Sequence, residues 1–217
     1  MVGVEDPSGR GSPPSGWFVA FEGGEGAGKS TQVRRLAEWL TAQGREVVVT
    51  HEPGDTPLGA SLRRLLLDHE AGPLAPRTEA LLFAADRAQH VADVVRPALT
   101  RGAVVITDRY VDSSLAYQGA GRSLDVADVA ELSVWATDGL VPDLTIVLDL
   151  PPTVGLARVP GIADQMEAEP LAFHERVRAG FLALAAAEPH RYLVVDATAD
   201  ADCVLHQILE QIAVVDA

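Results

Sequence analysis

The sequence predicts a three-layer α/β fold, a five-stranded parallel sheet with helices on both faces. Two observations predict it. Five short apolar runs carry few polar interruptions, as strands buried on both faces require. Between them lie segments whose apolar residues recur at helical spacing, and strands alternating with such helices build a parallel sheet.

The elements follow in order. Residues 1–16 hold Gly, Pro or Ser at ten positions and read as a disordered tail. That leaves 17–217 as a single domain. Trp17-Phe18-Val19-Ala20-Phe21 is the first strand, and a glycine-rich turn covers 23–30. A helix fits 31–43, with Val33, Leu36, Trp39 and Leu40 on one face and Gly44 at its end. Glu46-Val47-Val48-Val49-Thr50 is the second strand. Residues 57–68 and 76–100 read as helical, the latter bent near Pro97. Ala103 to Thr107 is a strand ending at Asp108, and a helix fits 124–137 after Ser123. Leu144 to Leu148 is a strand followed by Asp149. A helix at 170–187, a strand at 192–195 and a last helix near 201–213 complete the chain.

Acids number 31 against 17 Lys and Arg, a net charge of −14. A nucleic-acid binder needs a basic footprint, so that partner is not expected. No apolar run is long enough to span a membrane, and a cytoplasmic protein is expected. The one cysteine, Cys203, excludes a disulfide framework and reads as a small packed side chain on the last helix. Lys29 is the only lysine beside 16 arginines, so this composition keeps lysine for one place.

That place is a motif. Gly23-Gly24-Glu25-Gly26-Ala27-Gly28-Lys29-Ser30, followed by Thr31, fits G-x-x-x-x-G-K-[ST] between a strand and a helix. Glycines let successive backbone N–H groups turn toward phosphate oxygens, and the helix N-terminus adds its positive end. Lys29 is expected at the β- and γ-phosphates, on an exposed loop, and Ser30 on Mg²⁺. The pattern predicts a P-loop NTPase fold that binds a nucleoside triphosphate. Asp108 and Asp149, both at strand ends, are candidates for the metal's carboxylate, and Arg109 beside Asp108 favours the former.

Further motifs carry a resemblance. Phe21 to Gln32, Glu52-Pro53-Gly54 with Thr56-Pro57-Leu58-Gly59, Phe83-Ala84-Ala85-Asp86-Arg87 and Asp108-Arg109-Tyr110 occur in order. Ser113 to Gly119, Pro142-Asp143-Leu144-Thr145 and Phe173 to Arg178 follow. In these the chain resembles the thymidylate kinase family over about 17–213. The resemblance implies a nucleoside monophosphate kinase that uses ATP and Mg²⁺ to turn dTMP, a pyrimidine deoxynucleoside monophosphate, into dTDP. It implies that Glu25 holds the sugar 3′-hydroxyl and that Arg63 and Arg109 grip the acceptor phosphate. Phe83 would stack on thymine, Arg87 bond a base carbonyl, and Ser114 and Gln118 lie beside the base edge. Tyr117 would crowd the 2′ position, and Asp108 would sit near the metal. A homodimer packed through 76–100 and 124–137 is also implied.

Three places depart from the family pattern. His51 stands where arginine is common and Asp55 where glycine is common. The lid, near 157–168, is expected to be mobile and holds one arginine, Arg158, assigned a catalytic role. Gln165 takes an arginine's place there and marks an expected missing charge, unless Arg158 or an arginine of 176–178 supplies it. The depleted lid leaves two other readings open, a paralogue for another pyrimidine nucleotide and a nucleotide-binding protein with little turnover.

Overall fold

A computed structural model describes residues 16–68, 72–159 and 164–215, the last three by backbone alone. Residues 1–15 of the expected tail and 160–163 of the lid lie outside the described residues.

Five parallel strands form one sheet: β1 (Trp17–Glu22), β2 (Val47–His51), β3 (Val104–Asp108), β4 (Leu144–Asp149) and β5 (Tyr192–Asp196). Their order across the sheet is β2-β3-β1-β4-β5. The chain therefore leaves β1 at the point where the strand order reverses. In open parallel sheets ligands bind at the carboxyl ends around such a point. Register places Asp108 opposite Phe21, so the end of β3 stands beside the exit of β1.

Strand alternation divides the core. Val19 and Phe21 face one side, packed with Val33, Leu36 and Leu40 of α1 (Lys29–Ala42) and Val204, Ile208 and Ile212 of α9 (Ala201–Val215). Phe18 and Ala20 face the other, against Val91, Val95, Ala98 and Tyr110. The helices open at sequence-readable caps. Thr56 caps α2 (Pro57–Leu67), its hydroxyl accepting from the Gly59 N–H at 2.9 Å, with Pro57 at the first helical position. Asp125 likewise caps α6 (Val126–Thr137) through the Ala127 N–H at 2.8 Å.

The predicted 76–100 helix is three pieces: α3 (Pro76–His90), a π-helical turn at Val91–Val95 and α4 (Arg96–Thr100). The irregularity precedes Pro97, whose missing N–H cannot continue the regular ladder. Two elements were not expected. One is α5 (Val111–Ser114) running into a π-helical segment at Leu115–Gly121. The other is α7 (Pro152–Arg158). The π-helical segment packs on α8 (Leu171–Ala187), and Gly121 permits it: a Cβ there would meet the Phe173 ring at 2.6 Å. Cys203 corrects an expectation, since it is exposed on the first turn of α9 rather than packed. Its N–H faces Asp200, which occupies the cap side of that turn at 2.9 Å.

Among the described residues, no helix is long and apolar enough to cross a membrane.

Candidate active site

The loop after β1 wraps around a cation. Lys29 Nζ donates to the carbonyls of Gly23 at 3.0 Å and Gly24 at 2.8 Å. The side chain is 8% exposed, so the expectation of an exposed loop lysine is corrected: the carbonyls of its own loop enclose it. Burial, and Arg109 beside it, lower the Lys29 pKa. Gly26 has φ 64° and lies so close to α7 that a Cβ would meet the Gly155 carbonyl at 2.1 Å. The loop is thus pinned from behind by α7.

Two of the cavities that border this loop adjoin each other. The larger, about 680 Å³, is lined by Glu25 to Thr31 of the loop, and by Thr50, Asp108 and Arg158. The smaller, about 170 Å³, is lined by Phe83, Ser114, Tyr117, Gln118 and Met166 among others. Glu25, Glu52, Arg63 and Arg109 border both. Gly23 lines neither cavity and instead forms the turn beneath the loop.

Arg109 occupies the junction. Its guanidinium donates to Glu25 Oε1 at 2.8 Å, Ser113 Oγ at 3.1 Å and the Gly23 carbonyl at 3.2 Å. It also lies 5.0 Å from the centre of the Tyr117 ring, in cation–π contact. The Tyr117 hydroxyl donates to the same Glu25 oxygen at 2.6 Å. Burial alone would raise the Glu25 carboxyl, but Arg109, Lys29 and this hydroxyl bring it down to about 2. Arg63 is exposed on α2 and donates to the Pro53 carbonyl at 2.8 Å.

Ser30 Oγ donates to Asp108 Oδ2 at 2.7 Å, so the two oxygens predicted for a metal adjoin each other at the cavity floor. Such hard oxygen donors suit Mg²⁺, which takes few protein ligands beside phosphate and water. Asp149, the other candidate, is committed elsewhere: Arg178 binds it through two bonds, at 2.7 and 2.8 Å. Among the described residues, no group of three His, Cys, Asp or Glu forms a metal cluster.

Not every predicted contact faces a cavity. Arg87 is 2% exposed and lines neither. It donates to Glu52 Oε2 at 2.7 Å, Ser114 Oγ at 3.1 Å and the Tyr110 carbonyl at 3.0 Å. It therefore stands behind Ser114. Glu52 also pairs with the buried His90 at 2.8 Å. Gln118 borders the smaller cavity while donating to Glu79 at 2.8 Å. Phe83, half-buried on α3, faces that cavity.

The departing residues are also placed. The Asp55 carboxylate accepts from Thr50 Oγ1 and lies 3.6 Å from His51 Nδ1, and it borders neither cavity. The positive φ in that turn belongs to Gly54, at 124°, so Asp55 meets no demand for glycine. Gln165 turns its amide to the Asp68 carbonyl at the end of α2 and borders neither cavity. Arg158 reaches the rim of the larger cavity and donates to the Ala197 carbonyl at 3.3 Å. Arg176 is spent on the carbonyls of Ala120, Gly121 and Ala172, and Arg178 on Asp149. Neither supplies a charge to a cavity. Residues 164–168 are anchored: Asp164 accepts from the N–H groups of Met166 and Glu167, and Met166 is buried against Tyr117 and Phe173.

Several residues of the site had no sequence assignment: Glu22, Thr50, His90, Ser113, Asp164, Met166 and Glu167. Glu22 offered one signal, a carboxylate inside a strand end that is otherwise apolar. Burial, with Asp112 nearby, pushes its pKa up to about 8.

Comparison with known proteins agrees with this geometry. The profile of the family described as thymidylate kinase matches residues 21–208. The chain is 59% identical to a thymidylate kinase of Clavibacter sepedonicus over 186 residues, 84% of this chain and 88% of the relative. Identity to a thymidylate kinase of Leifsonia xyli subsp. xyli is 60%, with the same coverage of 84% and 88%. The crystal structure of thymidylate kinase from Ehrlichia chaffeensis superposes with a TM-score of 0.76 at 33% identity, covering 92% of this chain and 99% of that one. The matched span runs from the end of β1 into α9, taking in the phosphate loop and both cavity walls, and by that match the chain belongs to the thymidylate kinase family.

Proposed function

We propose that the protein transfers the γ-phosphoryl group of ATP to the 5′-phosphate of dTMP, giving ADP and dTDP. The observation that carries this reading is Arg109, whose guanidinium stands where a triphosphate-sized cavity opens into a smaller one. Phosphoryl transfer needs little covalent work from the protein, so positioning and charge neutralisation dominate. Two anionic substrates must be brought together, and an arginine between them answers both charges.

ATP phosphates lie in the loop of Gly23 to Thr31, with Lys29 drawn from its carbonyls onto the phosphates. Ser30 and Asp108 would hold Mg²⁺, which when bound neutralises charge on the donor phosphates. The nucleoside monophosphate occupies the smaller cavity. Its phosphate meets Arg109 and Arg63, its 3′-hydroxyl meets Glu25, and Phe83 stacks on the base. Ser114 and Gln118 edge the base, with Arg87 fixing Ser114 from behind. Tyr117 fills the space a 2′-hydroxyl would need. Arg158, at the rim of the larger cavity, meets the donor.

The pairing of two copies through the 76–100 and 124–137 helices is supported by their uncovered apolar residues. Leu81 is 57% exposed, Val134 60% and Trp135 83%. Light scattering at micromolar concentration is expected to give the dimer mass. A cytoplasmic location fits a reaction that consumes ATP. A coupled ADP-release assay over a panel of nucleoside monophosphates tests the activity. The highest kcat/KM is expected with dTMP, and equal values for dTMP and GMP would remove the pyrimidine-deoxynucleotide assignment.

A further inference from the structure

Arg109 holds a costly backbone conformation. Its φ is 73°, in the left-handed region, which a residue with a Cβ keeps only when its surroundings over-determine it. One side chain supplies much of that constraint. Glu22 Oε1 accepts from the N–H of Tyr110 at 2.8 Å and from the N–H of Ser113 at 3.1 Å. Its other oxygen accepts from Ser113 Oγ at 2.6 Å. Ser113 Oγ in turn accepts from the Arg109 guanidinium at 3.1 Å. The Arg109 N–H is tied to the Phe21 carbonyl at 2.9 Å, one residue before Glu22.

Glu22 is fully buried and borders neither cavity. A buried carboxyl group is unfavourable unless hydrogen bonds replace its water. All three bonds it accepts come from the single turn that follows Arg109. We propose that Glu22 is a positioning residue that clamps this turn, fixing the backbone on the far side of Arg109 and, through Ser113, the direction of its guanidinium. The inference rests on the reading that Arg109 grips the acceptor phosphate. It assigns Glu22 no contact with either substrate. Strand β1 thus serves both cavities: its end launches the phosphate loop, and its last side chain aims the arginine between them.

Steady-state kinetics of Glu22→Ala, Glu22→Gln and Arg109→Met, with dTMP and ATP varied separately and thermal unfolding run in parallel, test this. Glu22→Ala is expected to lower kcat/KM for dTMP about 10²-fold, the loss that a misplacement near 1 Å brings. The KM for ATP should move less than about twofold, since binding in the phosphate loop is untouched. Glu22→Gln keeps an oxygen for the two backbone N–H groups and should recover to within about tenfold of the parent enzyme. Unchanged kcat/KM for dTMP in Glu22→Ala would overturn the proposal. So would equal losses for both substrates that track a fall in Tm, which is what a merely structural role produces. If Glu22→Ala does not fold, Ser113→Ala takes its place. It removes the link to the guanidinium and one of the three bonds to Glu22 while leaving both backbone bonds, and it must raise the KM for dTMP severalfold or the proposal fails. If Arg109→Met raises that KM while the Glu22 and Ser113 variants do not, the clamp alone is overturned. If Arg109→Met leaves it unchanged, the role given to Arg109 fails, and this inference with it.

Discussion

The two cavities are walled by different material. The larger is shaped by backbone, a glycine loop whose carbonyls hold Lys29 and whose back rests on α7. The smaller is shaped by side chains, tied to one another by buried or half-buried carboxylates: Glu25 to Arg109 and Tyr117, Glu52 to Arg87 and His90, Glu79 to Gln118 and Arg122. A backbone cradle accepts any polyphosphate that fits the loop. A side-chain network holds one shape, and each of its members depends on the others. The difference separates tolerance on one side from selectivity on the other.

Breaking the network is expected to have the largest effect. Glu52→Ala leaves Arg87 buried beside an unfilled space, and removing one partner of a buried pair costs about 3–5 kcal/mol. Denaturant unfolding measures this, and a loss below about 1 kcal/mol, the worth of a surface pair, would show that the network does not bear on stability. Next comes the cradle. Lys29→Met keeps the aliphatic stem but removes the charge, so kcat should fall about 10²–10³-fold, as when one preorganised donor is lost. Circular dichroism should show the fold retained, and an unchanged kcat would mean that the loop does not hold the transferred phosphate.

A third test follows stability through acid. The Glu25 carboxyl sits at about 2 in the folded protein against an ordinary 4.5. Its contribution is therefore complete above pH 4.5 and is lost as the pH falls from there toward about 2. At full size this is about 3 kcal/mol. Glu25→Gln should flatten that limb of the unfolding curve. An unaltered acid limb would show that Arg109 and Lys29 do not hold Glu25 ionised. The smallest effect belongs to the lid base. Gln165→Ala loses one bond to the Asp68 carbonyl, a change of about 1 kcal/mol. Near-parent kcat is expected, because Gln165 borders neither cavity. A tenfold loss of kcat would place it in the machinery after all.

The same contrast governs what was legible. The loop could be read because its residues are consecutive and their chemistry is local. The strands could be read because burial on both faces leaves an unbroken apolar run. The segment from Val111 to Gly121 could not. Ser113, Ser114, Gly119 and Gly121 are poor helix formers, and the turn exists because Tyr117 packs on Phe173 and Phe181 of α8. Helix α7 was hidden by Gly155, which is there for the close approach of the loop rather than for the helix. Family motifs brought Arg87 to notice, but not its place behind Ser114, because its partner Glu52 lies 35 positions away. Glu22 and His90 escaped for the same reason: a positioning role is a relation between distant residues, and composition carries no trace of it.

One feature of the cradle has a practical side. Lys29 is the chain's sole lysine, so it is the only side-chain amine that an acylating reagent can find. Its lowered pKa leaves more of it as the reactive free amine than an exposed lysine would show, while the enclosing loop limits access. A single mass increment on the peptide carrying residue 29 would then count open loops, and its suppression by a bound polyphosphate would count filled ones. The enzyme carries its own one-site chemical gauge of occupancy, with no engineered label.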